Sequence, residues 1–143
     1  MTIRQVREDD VKDIMRLEDG SIEHPWCEED LIKLATDPDK AAFAADEDGA
    51  VTGYIGFSFL LDEAEIGNLV VDKDHRRKGT GEELISKTKE YLKDKGIAKV
   101  YLEVAEDNEP AKNLYLKSGF VSFNIRKDYY GRGRNALLMV CEF

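Results

Sequence analysis

The residues with the most chemical promise lie between Gly67 and Leu84, in the stretch GNLVVDKDHRRKGTGEEL. Leu69, Val70 and Val71 read as an apolar strand, and a short charged turn then delivers Arg76-Arg77-Lys78-Gly79-Thr80-Gly81 onto the start of a helix. Two glycines so close to a helix N-terminus leave backbone N–H groups uncovered, and these donors, with the helix dipole, attract phosphate. Arg76, Arg77 and Lys78 add charge of the right sign in a chain that is otherwise acidic. The stretch lacks the Gly-Lys-Ser/Thr ending of a Walker loop and the third glycine of a dinucleotide fingerprint. A basic strand-to-helix turn with a flexible cap is the other reading of the same residues.

Arg76-x-x-Gly79-x-Gly81 after an apolar strand resembles the acetyl-CoA loop of the GCN5-related N-acetyltransferases (GNAT). Other patterns stand in the order that family shows them: Leu69-Val70-Val71, then Leu102-Glu103-Val104 with Asn108, then Ala111-x-x-Leu114-Tyr115-x-x-x-Gly119-Phe120. The resemblance covers essentially the whole chain. It is closest to the branch that acetylates protein N-termini, the ribosomal-protein alanine N-acetyltransferases and their archaeal relatives. Pro25-Trp26 and Arg126-x-x-Tyr129-Tyr130 carry that closer likeness.

The resemblance implies an acetyl-CoA-dependent enzyme. Backbone amides from Arg77 to Glu82 would hold the pyrophosphate, beside the charges of Arg76, Arg77 and Lys78. The backbone of Leu69, Val70 and Val71 would pair with the pantetheine arm, and Asn108 would add an amide contact or serve as a plain N-cap. Glu103 matches the branch's general base, acting directly or through water, although spacing alone reads it as an exposed strand glutamate. Tyr115 matches the general acid for the departing sulfur, although Leu114-Tyr115 also reads as core packing on an apolar helical face. Trp26, Tyr129 and Tyr130 are candidate walls of the acceptor groove; the alternative is a core anchor for Trp26 and strand aromatics for the tyrosines. No covalent intermediate is required, which leaves Cys27 and Cys141 without a role, and His24 and His75 look incidental.

The expected acceptor is a protein or peptide N-terminus. An α-amine ordinarily titrates at about 7.7–8.0, against about 10.4 for lysine-like amines, so one carboxylate with a water suffices to deprotonate it at neutral pH. A small amine such as a polyamine or an aminoglycoside is the alternative, and suits an acidic chain. A non-catalytic acetyl-CoA-binding module is the remaining reading, against which the joint presence of Glu103 and Tyr115 argues. The sequence also departs from the branch: Cys27 follows Trp26 where serine is frequent, the loop after Tyr130 is short, and Arg134-Asn135 stand where relatives often place acids. A basic loop there would repel a basic peptide.

These residues need a scaffold, and the patterning supplies one. Thr2 to Arg7 alternates as a strand; Asp9 and Asp10 can cap a helix that buries Val11, Ile14, Met15 and Leu17. His24-Pro25-Trp26 breaks the chain before a second helix from about Cys27, burying Leu31, Ile32, Leu34 and Ala35 and ended by Pro38. Lys40 to Asp46 and Val51 to Leu61 form a hairpin, with Val51, Gly53, Ile55, Phe57, Phe59 and Leu61 on one buried face. Glu65 to Asp72 is the next strand, and Gly67 within it marks a bulge or a close backbone approach. A long helix buries Leu84, Ile85, Thr88, Tyr91 and Leu92 and ends at Lys95-Gly96. Lys99 to Ala105 follows as a parallel strand through a right-handed crossover. A helix from Asp107-Asn108 to Ser118-Gly119 and a final hairpin, about Phe120 to Tyr129 and Asn135 to Glu142, complete the order β-α-α-β-β-β-α-β-α-β-β. The expectation is one mixed α/β domain over residues 1–143, with a sheet of about seven strands and four helices.

A chain of 143 residues can bury a single core. With 42% hydrophobic and 36% charged residues it has the composition of a soluble globular protein. The longest apolar run, Ile55 to Leu61, has the length of a strand and is too short to span a bilayer, and Met1 leads straight into a strand without a signal-peptide core. Two cysteines make no disulfide framework and lack metal-ligand company, so a reducing cytoplasm and no metal are expected. The formal net charge of −9 argues against nucleic acid as a partner. A monomer or weak homodimer is the expected state.

Overall fold

Seven strands form one mixed sheet, and its order follows from how the apolar segments can pair. The computed structural model describes residues 1–19, 26–76 and 78–143. Its strands are β1 (Thr2–Gln5), β2 (Lys40–Glu47), β3 (Ala50–Leu60), β4 (Glu63–Val71), β5 (Lys99–Ala105), β6 (Val121–Arg126) and β7 (Ala136–Glu142). Its helices are α1 (Val11–Asp19), α2 (Glu28–Thr36), α3 (Thr80–Asp94) and α4 (Glu109–Lys117). The spatial order is β1-β2-β3-β4-β5-β7-β6, antiparallel throughout except for the parallel pair β4–β5. This is the fold class, element order and strand count that the sequence implies. The predicted break at His24-Pro25 lies outside the described residues.

Helices cover both faces. Leu84, Ile85 and Leu92 of α3 and Tyr115 of α4 join Phe43, Ile55, Phe57, Val100, Leu102 and Val104 in the larger core. Val11 and Ile14 of α1 and Leu31 and Leu34 of α2 join Ala42, Ala44, Tyr54 and Val70 in a second core on the opposite face. β3 is consequently buried on both sides from Val51 to Phe57, where one buried face was expected. Within it, Val51 faces the α1/α2 core and Ile55 and Phe57 the other. The pairing jumps from Ala45↔Gly53 to Asp46↔Val51, so Thr52 is an extra residue and the alternation flips there. Leu61 also departs from expectation: it sits in the turn after β3 at φ 58° and is 89% exposed.

Other boundaries shift by a few residues for local reasons. A 3₁₀ turn at Glu8–Asp10 precedes α1, and Asp10 rather than Asp9 organises it. The Asp10 carboxylate accepts from the Arg7 amide at 2.8 Å and from Arg4 at 2.8 and 2.9 Å, while Arg4 Nε reaches Asp46 at 3.0 Å. β6 stops at Arg126, short of the predicted Tyr129, because residue 128 adopts φ 56° and begins a turn. The Asp128 N–H donates to Asn135 Oδ1 at 3.0 Å, and the Gly133 N–H to Asp128 Oδ1 at 2.7 Å.

Candidate active site

The site begins where β4 and β5 part. They pair only as Glu63↔Lys99, Ala64↔Val100 and Glu65↔Tyr101, after which β4 runs on to Val71 and β5 to Ala105 without further pairing. From Ile66 onward β4 therefore keeps β3 on one side and presents unpaired backbone on the other. Because the pair is parallel, both strands deliver their following helices, α3 and α4, to the same open end.

A bulge sits at the parting. β3 residues Gly56 and Phe57 face Asn68 and Ile66, so Gly67 is the extra residue predicted for this strand. The bulge turns two consecutive residues to one face. Ile66 lies in the α3 core, a Cβ on Gly67 would meet Trp26, Asn68 bonds into the α1/α2 side, and the alternation then resumes with Leu69, Val70 and Val71.

Beyond β4, Arg76 Nε donates to the Val71 carbonyl at 3.0 Å, tying the basic turn to the strand end. Gly79 is the N-cap of α3 at φ 81°, in the left-handed region, and a Cβ there would have nothing within 4 Å. Among the described residues none but its chain neighbours stands within 4 Å of that position, and Lys78 beside it is exposed. Gly81 differs: a Cβ would lie 2.9 Å from Leu114 Cδ2, so it lets α4 approach α3. Thr80 is buried, and Glu82 pairs with Lys117 of α4 at 2.7 Å. Arg77 lies outside the described residues. Asn108 is the N-cap of α4, its Oδ1 accepting from the Ala111 amide at 3.3 Å, and so makes the local contact the sequence allowed.

Glu103 and Tyr115 come from opposite faces of the sheet. Val100, Leu102 and Val104 enter the α3/α4 core, which turns Glu103 to the other face, where it is half-buried and its Oε1 lies 3.2 Å from Arg126 Nη1. It is therefore ion-paired rather than a free surface carboxylate. Tyr115 is 8% exposed and packs edge-on against Phe120 at 5.8 Å. Tyr130 connects the two electrostatically. Burial first, then the Glu103 carboxylate, raise its phenol pKa. Burial first, then Tyr130, hold the Tyr115 phenol well above the ordinary value. Tyr129 is exposed, packs edge-on against Tyr130 at 5.0 Å and takes the Arg126 guanidinium over its ring at 5.5 Å.

From Glu103 a groove of about 900 Å³ runs between β5 and β6 on one side and the β3–β4 turn and the chain entering β2 on the other. Tyr101, Phe123 and Leu138 give it an apolar floor, and Asp37, Asp39, Asp62, Glu63 and Glu65 line it with charge, against Lys40 and Arg126. Arg134, the residue of concern for basic peptides, has its Nε 3.2 Å from Asp107 Oδ2.

Glu18 was not anticipated. It is fully buried on α1, and its carboxylate accepts from the Tyr54 hydroxyl, from Asn68 Nδ2 at 3.1 Å and from the Trp26 amide at 2.8 Å. The signal was available: Val11, Ile14 and Glu18 follow the spacing of one helical stripe, which puts a carboxylate in line with apolar residues. Among the described residues no group of three or more His, Cys, Asp or Glu is placed to hold a metal ion, and no helix is long and apolar enough to cross a membrane.

Comparison with known proteins agrees with this geometry. The acetyltransferase (GNAT) family model matches residues 9–120. A Bacillus subtilis protein provisionally named a ribosomal protein bS18-alanine N-acetyltransferase is 32% identical over 139 residues, covering 96% of this chain and 92% of the relative. An N-alpha-acetyltransferase of Sulfurisphaera tokodaii is 31% identical over 150 residues, covering 96% and 90%. The crystal structure of the ribosomal-protein-S18-alanine N-acetyltransferase from Escherichia coli superposes with a TM-score of 0.89 at 28% identity, covering 99% of this chain and 92% of that one. With the family model and near-complete relatives in agreement with a sheet that parts at β4 and β5, this chain belongs to the acetyltransferase (GNAT) family and is an acyltransferase.

Proposed function

We propose that the protein transfers acetyl from acetyl-CoA to the N-terminal α-amine of a protein or peptide, with Glu103 as general base and Tyr115 as general acid. The observation that carries this reading is the parting of β4 from β5, with Glu103 on one face of the sheet and Tyr115 on the other.

The residues present fit acetyl-CoA. The open, left-handed Gly79 at a helix N-terminus, beside Lys78 and Arg76, suits a pyrophosphate, and the unpaired edge of Leu69 to Val71 suits an amide-bearing arm. When bound, acetyl-CoA supplies the acetyl group as an activated thioester. Glu103 removes the proton from the incoming ammonium, directly or through water, and frees the nitrogen lone pair for attack. Tyr115 keeps its proton because burial disfavours the phenolate, and so can give it to the departing sulfur. Trp26 on the β4 side and Tyr129 and Tyr130 on the other wall the acceptor entrance.

Three considerations favour an α-amine. The bS18-alanine and N-alpha names of the relatives describe that acceptor. A single carboxylate suffices for an amine of pKa about 7.7–8.0 but is a weak base for one near 10.4. The acidic, apolar-floored groove leading from Glu103 suits a chain with basic and apolar residues after its N-terminus. The same carboxylates also suit a polyamine, which keeps that acceptor as the second reading. Assaying CoA release against short peptides with basic residues after the first, and against spermidine, separates them: peptides are expected to be the better substrates.

A further inference from the structure

Glu18 is wholly buried, yet its carboxylate is met by donors from three separate parts of the chain. Tyr54 of β3 donates its hydroxyl, Asn68 of the β4 bulge its amide, and Trp26, just before α2, its backbone N–H. Burial first, then Glu18, hold the Tyr54 phenol in its neutral, donating form. Buried ionic groups are seldom the most stabilising choice for a core position, since well-packed apolar residues often do as well. What such a group does supply is directionality. Here the three donors fix the chain entering α2 against the β4 bulge.

The seat so formed is specific. The Trp26 indole lies over Gly67, where a Cβ would come within 2.6 Å of Cζ2 and 2.7 Å of Cη2. Gly67 and Asn68 are the two bulge residues turned to this face, at the point where β4 has just left β5. Asn68 is held to Glu18, Gly67 receives the ring, and the next residue, Leu69, starts the part of the unpaired edge read above as the seat of the amide-bearing arm. Glu18, Asn68 and Gly67 thus set the position of Trp26 on the β4 side of the opening, on the sheet face that carries Glu103.

We propose that Glu18 is a positioning residue for the acceptor. Through Trp26 N–H and Asn68 it seats the indole on Gly67 and so fixes the β4-side wall of the acceptor entrance, without touching the reacting atoms. The inference rests on the reading of this opening as the acetyl-transfer site; the pyrophosphate seat at the α3 turn uses other residues, so acetyl-CoA affinity is expected to change far less than that of the acceptor.

Two variants perturb the seat independently. Glu18→Gln keeps the shape but points an NH₂ at one of its donors; Gly67→Ala leaves Glu18 alone and pushes the indole away. In both, the acceptor KM is expected to rise by about tenfold while the KM for acetyl-CoA stays within about twofold. Melting temperatures are measured alongside, and if Glu18→Gln does not fold, Gly67→Ala decides. Folded variants with unchanged acceptor KM overturn the proposal. So does a loss of kcat in proportion to the unfolded fraction with both KM values unchanged, the mark of a merely structural role. Should wild type acetylate spermidine and no peptide, the α-amine assignment fails while the KM split remains readable on spermidine.

Discussion

Gly81 of α3 faces the side chain of Leu114 of α4, and a methyl group on Gly81 would lie 2.9 Å from Leu114 Cδ2. The two glycines of the turn therefore have different jobs. A Cβ on Gly79 would meet no described residue within 4 Å, whereas Gly81 makes room for Leu114 of the helix that bears Tyr115.

Gly81→Val overpacks this contact and is expected to cost about 1–3 kcal/mol of stability and to weaken acetyl-CoA binding. Leu114→Ala in the same chain makes room and should restore both. Calorimetric titration of the single and double variants checks this; a stable double variant that still fails to bind would place the Gly81 backbone against the phosphates themselves.

Tyr115→Phe keeps the ring against Phe120 and removes only the phenolic proton. If Tyr115 is the general acid, kcat falls by about 10²–10⁴-fold with acetyl-CoA affinity and melting temperature nearly unchanged. Full-rate turnover would reduce Tyr115 to a core residue.

If Tyr115 is the general acid, the direction of its pKa shift bears on the alkaline side of the pH profile. A raised phenol pKa means that the proton-bearing form persists to higher pH, so a general acid there would keep its proton in the working range. With an α-amine acceptor, kcat/KM should rise through about pH 7.7–8.0 and then level off, with no descending limb before about pH 10. A bell-shaped profile with a descending limb near pH 8, measured on stable protein, would contradict this.

The elements were more legible in the sequence than the relations between them. The alternation Val100, Leu102, Val104 gives the bounds of β5, and a lone glycine in an apolar strand gives the bulge at Gly67. Local pattern could not show that Leu61 turns out at positive φ, or that Thr52 flips the alternation of β3, because both depend on strand pairing. In the candidate site, motif spacing picked out positions along the chain, the glycine turn, the end of β4 and Glu103, but not what those residues touch. The helical stripe could place Glu18 among apolar residues but not name its partners, since Tyr54 and Asn68 are 36 and 50 residues away. The ion pair of Glu103 with Arg126 was hidden for the same reason.

The Arg4–Asp10–Asp46 cluster ties β1 to β2 and to the start of α1. Burial works against the Asp10 carboxylate, but Arg4 and the Arg7 amide outweigh it and hold its pKa below the usual value. A depressed carboxylate stabilises the fold above its unfolded pKa, about 3.9, and that contribution is lost as pH falls through the lower folded value. Asp10→Asn should therefore melt earlier than wild type at pH 7, with the gap closing in acid. A gap that is constant down to about pH 2 would contradict the assignment.

Which nitrogen carries the acetyl group decides between an α-amine and any other acceptor. A peptide with a free N-terminus and an internal lysine, incubated with acetyl-CoA and wild-type protein, is mapped by fragmentation mass spectrometry, beside a spermidine reaction and a Glu103→Gln control. Acetylation of the α-amine is expected, faster than any of spermidine, and lost at neutral pH in Glu103→Gln with partial recovery at high pH, where the free amine needs no base. Acetyl on the lysine side chain, spermidine as the better substrate, or full activity of Glu103→Gln at neutral pH would contradict it.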